Sequence, residues 1–276
     1  MKNSRNVQLP VACLILLLFI GGGCGADAPV PPAIPLTGPT PGSIDSSVGI
    51  TDDAPPLDTV NLPENVPDAE RDATTAVLKL GGHIDQASSG HVLTVDLTGT
   101  DVGNDDLEQL QAFTQLLGLI LTDTGVSDDG LQHVAKLSTL TTLELYRTSI
   151  SDAGLKNLSN LSSLAGLYLK GTKITNDGLA HIAGLTNLTL LSLSNTALTD
   201  DGLKHLRGLS KLESLIVEDT KVTADGLIGN LSDLKKLELI AVAGTQMTAE
   251  EIGTIERSLP GIRVTGSQNT KSPRVP

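Results

Sequence analysis

Threonines recur along this chain at a fixed step. Thr100, Thr124, Thr148, Thr172, Thr196, Thr220 and Thr245 follow one another at 24 residues, with a single step of 25 at the end. Aliphatic columns travel with them. Eight, five and three positions before each threonine stand Val92/Val95/Leu97, Leu116/Leu119/Leu121, Leu140/Leu143/Leu145 and Leu164/Leu167/Leu169. Leu188/Leu191/Leu193, Leu212/Leu215/Val217 and Leu237/Ile240/Val242 complete the columns. Two positions after each threonine comes Val102, Val126, Ile150, Ile174, Leu198, Val222 or Met247. The extra residue falls within 228–230, because Leu231, Leu234 and Leu237 are back in register. A unit this short cannot bury its own apolar face, so the units must stack into a solenoid in which each layer covers the next.

Within a unit two periods alternate. The L-x-L step has period 2 and reads as a short strand with both leucines pointing inward, while Leu155, Leu158 and Leu161 lie three apart and read as a short helix or tight turns on the opposite side. Stacking then gives a parallel sheet on one side and helices on the other. Strands pack about 4.8 Å apart and helices about 8–10 Å apart, so the stack bends with the sheet on the inside. The composition agrees: with no Trp, two Tyr, two Phe and 28 Gly, the core is aliphatic and divided into small layers.

The pattern L-x-x-L-x-L-x-x-T-x-[VI]-[ST]-[DN]-x-G-L-x-x-L-x-x-L-x-x over residues 92–248 resembles the leucine-rich-repeat family. It is close to the cysteine-containing subtype and to repeats of exported bacterial proteins, with Thr where the family commonly has Asn or Cys. The resemblance implies an α/β leucine-rich-repeat solenoid, a curved horseshoe segment with a parallel sheet on the concave side and short helices on the convex side. It also implies a non-enzymatic protein that works by presenting a surface to a protein partner.

The threonine hydroxyls, at the bend after each strand, are placed to bond loop backbone. A second polar column, Ser127-Asp128, Ser151-Asp152, Thr175-Asn176 and Thr199-Asp200, reads as helix caps with an acid at the positive helix end. The end layers need covers. Residues 68–80, with Ala69, Ala73, Ala76, Val77 and Leu80, predict an amphipathic capping helix stopped by Gly81-Gly82. Residues 249–259 predict a final helix ended by Pro260-Gly261, with a last strand at 262–264. The expected division is a signal peptide at 1–23, a Pro-rich disordered tether at 24–67, an N-terminal cap at 68–91, repeats at 92–248, a C-terminal cap at 249–268 and a disordered tail at 269–276.

Lys2 and Arg5 precede an apolar run from Val11 to Ile20, shorter than the roughly 20 residues a spanning helix needs. The run ends in Gly21-Gly22-Gly23-Cys24, which resembles a bacterial lipoprotein signal with Cys24 as the lipidated residue, although Gly21 stands where such signals usually carry Leu. Two alternatives remain open: ordinary cleavage after Ala26, giving a secreted protein, and an uncleaved anchor. The lipoprotein reading places the protein at a cell envelope, held to a membrane by acyl chains.

The net charge of −13, without a basic stripe, repels phosphate backbones and excludes nucleic acid as a partner. Both cysteines, Cys13 and Cys24, precede the repeats. His133, His181 and His205 share one column and read as surface polar residues, spaced too far apart for one small ion. No constellation of reactive groups breaks the consensus, so no catalytic residue, cofactor or metal is expected. Recognition is left to the outward strand positions. One column reads Asp96, Ile120, Glu144, Tyr168, Ser192, Ile216, Ala241; the other reads Thr98, Thr122, Tyr146, Lys170, Ser194, Glu218, Ala243. Both tyrosines of the chain lie here in adjacent layers. Tyr and Arg are enriched in binding hot spots, so Tyr146, Tyr168, Glu144, Arg147 and Lys170 form the candidate contact patch. The expected partner is a protein, with a glycan as the second choice and a monomeric state. The rival reading is an envelope spacer with no discrete ligand.

Overall fold

The computed structural model describes residues 66–266. A nine-stranded sheet runs through them in chain order, β1 (His83–Gln86), β2 (Val92–Asp96), β3 (Gly118–Ile120), β4 (Thr142–Glu144), β5 (Gly166–Tyr168), β6 (Leu190–Ser192), β7 (Ser214–Ile216), β8 (Leu239–Ala241) and β9 (Arg263–Thr265). β1 pairs antiparallel to β2, and every later pair is parallel. The repeat register becomes the strand register: Leu119 lies beside Leu143, Leu143 beside Leu167, and Leu167 beside Leu191. Short helical turns return the chain on the other side, among them Leu131–Val134, Asp152–Leu155, Leu179–Ile182 and Asp200–Leu203. The extra residue of the sixth layer is taken up in a longer helix, Ala224–Leu231.

Every inward Leu column is fully buried in one continuous core. Phe113 is the exception in size, filling in the first layer the place that Leu137, Leu161, Leu185 and Leu209 fill in the next four. All seven threonine hydroxyls donate to the carbonyl three residues earlier, from Thr100 to Leu97 at 2.8 Å through Thr172 to Leu169 at 2.6 Å to Thr245 to Val242 at 2.7 Å. Each bond closes the bend that turns the strand into the loop.

The second polar column does something other than simple capping. The Asp152 carboxylate accepts from both the Thr175 N–H at 2.8 Å and the Thr175 hydroxyl at 2.6 Å, one layer further on. Asp200 does the same to Thr223, Asp128 to Ser151, and Asn176 and Asn104 bond Thr199 and Ser127 in the equivalent way. The column is a ladder of rungs that ties each layer to its successor. Only part of the capping role survives: Ser151 and Thr223 still accept a bond from the first turn of their helices, and Thr199 does not.

The ladder explains the Gly of the G-L step in the five layers that receive a rung. A β-carbon at Gly202 would stand 2.6 Å from Asn176 Oδ1, and one at Gly130 would stand 2.7 Å from Asn104 Oδ1. Gly154, Gly178 and Gly226 face the rung carboxylates of Asp128, Asp152 and Asp200 in the same manner. None of these glycines has a positive φ, so the requirement is for space.

Both ends depart from the interior plan. The N-terminal helix, Asp68–Lys79, buries Glu70, Ala73, Thr74 and Val77, while Ala69 faces solvent. Its buried stripe starts on a charged residue because Glu70 accepts from the Val92 N–H at 2.8 Å and meets His91 Nδ1 at 2.9 Å, tying the helix to the start of β2. β1 is an addition to the strands the pattern predicts. At the other end the helix is Ala249–Ser258, followed by β9. Among the described residues no helix is long and apolar enough to cross a membrane. The signal, Cys24, the Pro-rich segment and the tail after 266 lie outside the described residues.

Candidate functional site

The strand register sets Glu144 beside Tyr168, and Tyr168 beside Ser192, on the face of β4, β5 and β6 turned away from the leucine core, the inner face of the solenoid. Two residues further along the chain, Tyr146, Lys170 and Ser194 lie in the same three layers. The Tyr146 and Tyr168 rings meet edge to face, with centroids 5.7 Å apart and planes at 88°, a favoured aromatic geometry. The Tyr146 hydroxyl hydrogen-bonds Ser192, two layers on. Gly166 makes room for this arrangement: a β-carbon there would come within 3.3 Å of Tyr168 Cε2.

The outward columns were expected to stand in solvent, and two of the candidate residues do not. Glu144 is 3% exposed and Tyr168 7%. On the inner wall of a curved sheet the strands lie about 4.8 Å apart and their side chains converge, so bulky neighbours cover one another. Tyr146 and Lys170 are half-buried, and Arg147 is exposed.

Burial sets the chemistry of the patch. It raises the Glu144 carboxyl from its ordinary value near 4.5 to about 7, with the Asp96 carboxylate pushing in the same direction. No hydrogen bond or ion pair reaches that carboxyl among the described residues. Burial likewise raises the Tyr168 phenol to about 12 and the Tyr146 phenol further, so both remain neutral hydroxyls. Two more hydroxyls, Thr122 Oγ1 and Ser194 Oγ, are buried with no hydrogen-bond partner. Both belong to the Tyr146 column, one layer before it and two layers after.

Arg147 plays a different part. It occupies the left-handed turn position that closes each strand, filled elsewhere by Gly99, Asp123, Gly171, Asn195, Asp219 and Gly244, and it has φ 51°. Gly, Asn and Asp tolerate that region, and Arg is the outlier. Its guanidinium is forked onto both carboxylate oxygens of Asp123 in the preceding layer. The Asp123 carboxyl is held below its usual range by that bond. The sequence patch therefore resolves into a buried cluster of Glu144, Tyr146 and Tyr168 with Lys170 beside it, and a separate surface pair of Arg147 and Asp123. The hydroxyls of Thr122, Ser192 and Ser194 were visible in the two columns. They carry no distinguishing signal in sequence, since Ser and Thr are ordinary on a strand face.

Among solved structures, the chain is similar to internalin C2 from Listeria monocytogenes, at 25% sequence identity over 73% of this chain and 93% of that one, with a TM-score of 0.50. The fold is a leucine-rich-repeat fold. A leucine-rich-repeat protein from Leptospira interrogans is also similar, at 21% identity over 63% of this chain and 48% of that one, with a TM-score of 0.46. No family model and no curated protein matches the chain. Among the described residues no group of three or more His, Cys, Asp or Glu side chains is gathered as a metal site would require.

Proposed function

We propose that this leucine-rich-repeat domain is a non-enzymatic recognition module that binds a partner protein on the inner face of its sheet, around Glu144, Tyr146 and Tyr168. The observation that carries the reading is the concentration of both tyrosines of the chain, a partnerless carboxyl and two partnerless buried hydroxyls in four adjacent layers. Elsewhere the conserved columns of the repeat are consumed by the core, the bend threonines and the ladder. Aromatic anchors surrounded by well-packed neighbours are the usual centres of protein interfaces. The N-terminal pattern of Lys2, Arg5, the apolar run and Cys24 supports export to a cell envelope, with a lipid on Cys24 and the segment 24–67 holding the repeats away from the membrane.

The test is capture of envelope proteins by the mature chain and by its Tyr146→Ala/Tyr168→Ala variant. The expected result is loss of a specific captured protein with an unchanged circular dichroism spectrum. Retained capture moves the site off this face. Mass analysis of the mature N-terminus decides the lipid. Concentration-dependent self-association in light scattering is the mark of the spacer reading instead.

A further inference from the structure

We propose that the inner-face site accepts a basic side chain, a lysine or arginine of the partner protein, seated against the Glu144 carboxyl beside the rings of Tyr146 and Tyr168. The inference rests on the reading that this face binds a partner, and it specifies the chemistry of the contact.

Three observations point the same way. Glu144 as a residue is only 3% exposed, nothing among the described residues donates to its carboxyl, and the carboxyl oxygens are not sealed off, so a donor from outside can reach them. Buried carboxylates in folded proteins are normally paired, and one without a partner is a demand for a donor. Second, the charged groups facing the cluster are mostly acidic. Asp96 on β2 acts on Glu144, and Glu218 after β7 acts on Tyr146. β3 contributes the uncharged Ile120 and Thr122, β6 the uncharged Ser192 and Ser194, and β5 is followed by the single cation, Lys170. Arg147 is engaged with Asp123. An anionic or phosphorylated group would meet two carboxylates at close range, whereas a cation is attracted. Third, the remaining surfaces suit an ammonium or guanidinium. Tyrosine faces attract cations through the ring quadrupole.

The seat is coupled to protons. A cation needs the ionised carboxyl, and that carboxyl titrates at about 7. Binding therefore expels a proton near neutrality, and affinity rises with pH until the carboxyl is fully ionised. Between pH 6 and pH 8 the ionised fraction grows about tenfold, and apparent affinity grows with it.

The chain offers its own probe. It has two tyrosines and no tryptophan, so its tyrosine emission reports on this site alone. The full chain is titrated with N-acetyl-arginine amide and N-acetyl-lysine amide, with the neutral isostere N-acetyl-citrulline amide and with N-acetylglucosamine, at pH 6 and at pH 8. The expected result is a saturable change with the two basic probes, about tenfold tighter at pH 8, and none with the neutral ones. Glu144→Gln abolishes the response. Asp96→Asn keeps it and moves the pH dependence downward, because a repelling charge has gone. A response to citrulline amide or to the sugar equal to that of arginine overturns the proposal. So does arginine binding that is indifferent to pH and to Glu144→Gln. Either result leaves the partner-binding reading standing, since that reading fails only if the double tyrosine variant still captures the partner.

Discussion

Replacing Glu144 by Gln removes the charge and keeps the shape, and its consequence for stability can be worked out in advance. The folded carboxyl titrates at about 7 and an unfolded one near 4.5. Between those values the folded state holds a proton that the unfolded chain has released. Stability therefore falls as pH rises through that window. The loss is absent below about pH 4.5 and complete above about pH 7.5. At about 1.4 kcal/mol per pH unit, the gap corresponds to about 3.5 kcal/mol, of which about 2.5 kcal/mol is lost between pH 5 and pH 8. The carboxyl oxygens keep some contact with water, so screening makes these figures upper bounds. Glutamine does not titrate, although its amide needs partners in the same place, and leaving them unmade costs about 1–3 kcal/mol at every pH. The diagnostic quantity is thus the slope. Urea unfolding followed by circular dichroism from pH 5 to pH 8 is expected to show the difference between wild type and Glu144→Gln moving by about 2.5 kcal/mol in favour of the variant. Carboxylates common to both proteins cancel in that difference. Curves that stay parallel across the range refute the placement of Glu144 as a buried, partnerless acid.

Three further substitutions, one of them a control, test the layer construction. Gly178→Ala puts a methyl group against Asp152, whose Cα would be 3.2 Å away and whose carboxylate is held by Thr175; overpacking of this kind costs about 1–3 kcal/mol. Gly184→Ala, where nothing lies within 4 Å, is the matched control and is expected to leave the urea midpoint unchanged. Thr172→Val removes the 2.6 Å bond to the Leu169 carbonyl and is expected to cost about 1 kcal/mol without changing tyrosine emission. A changed emission at an unchanged midpoint contradicts the structural role of that column.

The fold was legible because its period is long and its columns are pure. Leucines at fixed offsets state which residues face inward, and the register of Leu119, Leu143 and Leu167 in adjacent strands is the same spacing written in space. The ladder was less legible. Asp152 and Thr175 are 23 residues apart, and a polar column beside a helix start looks like a cap until the stacked neighbour is seen. The exposure of Glu144 and Tyr168 was misjudged for a related reason. Period 2 tells which face a residue occupies, but the crowding of that face depends on curvature and on the size of neighbours two layers away. β1 carried little signal, since His83–Gln86 buries almost nothing of its own.

The ends of the solenoid show that the ladder is a rule with a defined termination. In the interior, each Asx reaches forward to the Ser or Thr of the next layer and so requires Gly three residues beyond that Ser or Thr. Between the sixth and seventh layers both requirements lapse together: Ala224 of the sixth replaces the Asx, and Glu251 of the seventh replaces the Gly. Glu251 then accepts from the Thr248 N–H at 2.7 Å and from its hydroxyl at 2.8 Å, the same two bonds that Asp200 receives from Thr223. The acid has moved into the layer it serves. The first layer does likewise, with Asp106 accepting from the Gly103 N–H at 2.8 Å where no earlier layer exists to supply a rung. A layer that satisfies its own backbone in this way takes no rung from a neighbour, so the ladder ends there while the sheet continues through β9. Where the last rung is missing, Thr220, Lys221, Val222, Thr223, Gln246, Met247 and Glu251 line a cleft of about 420 Å³.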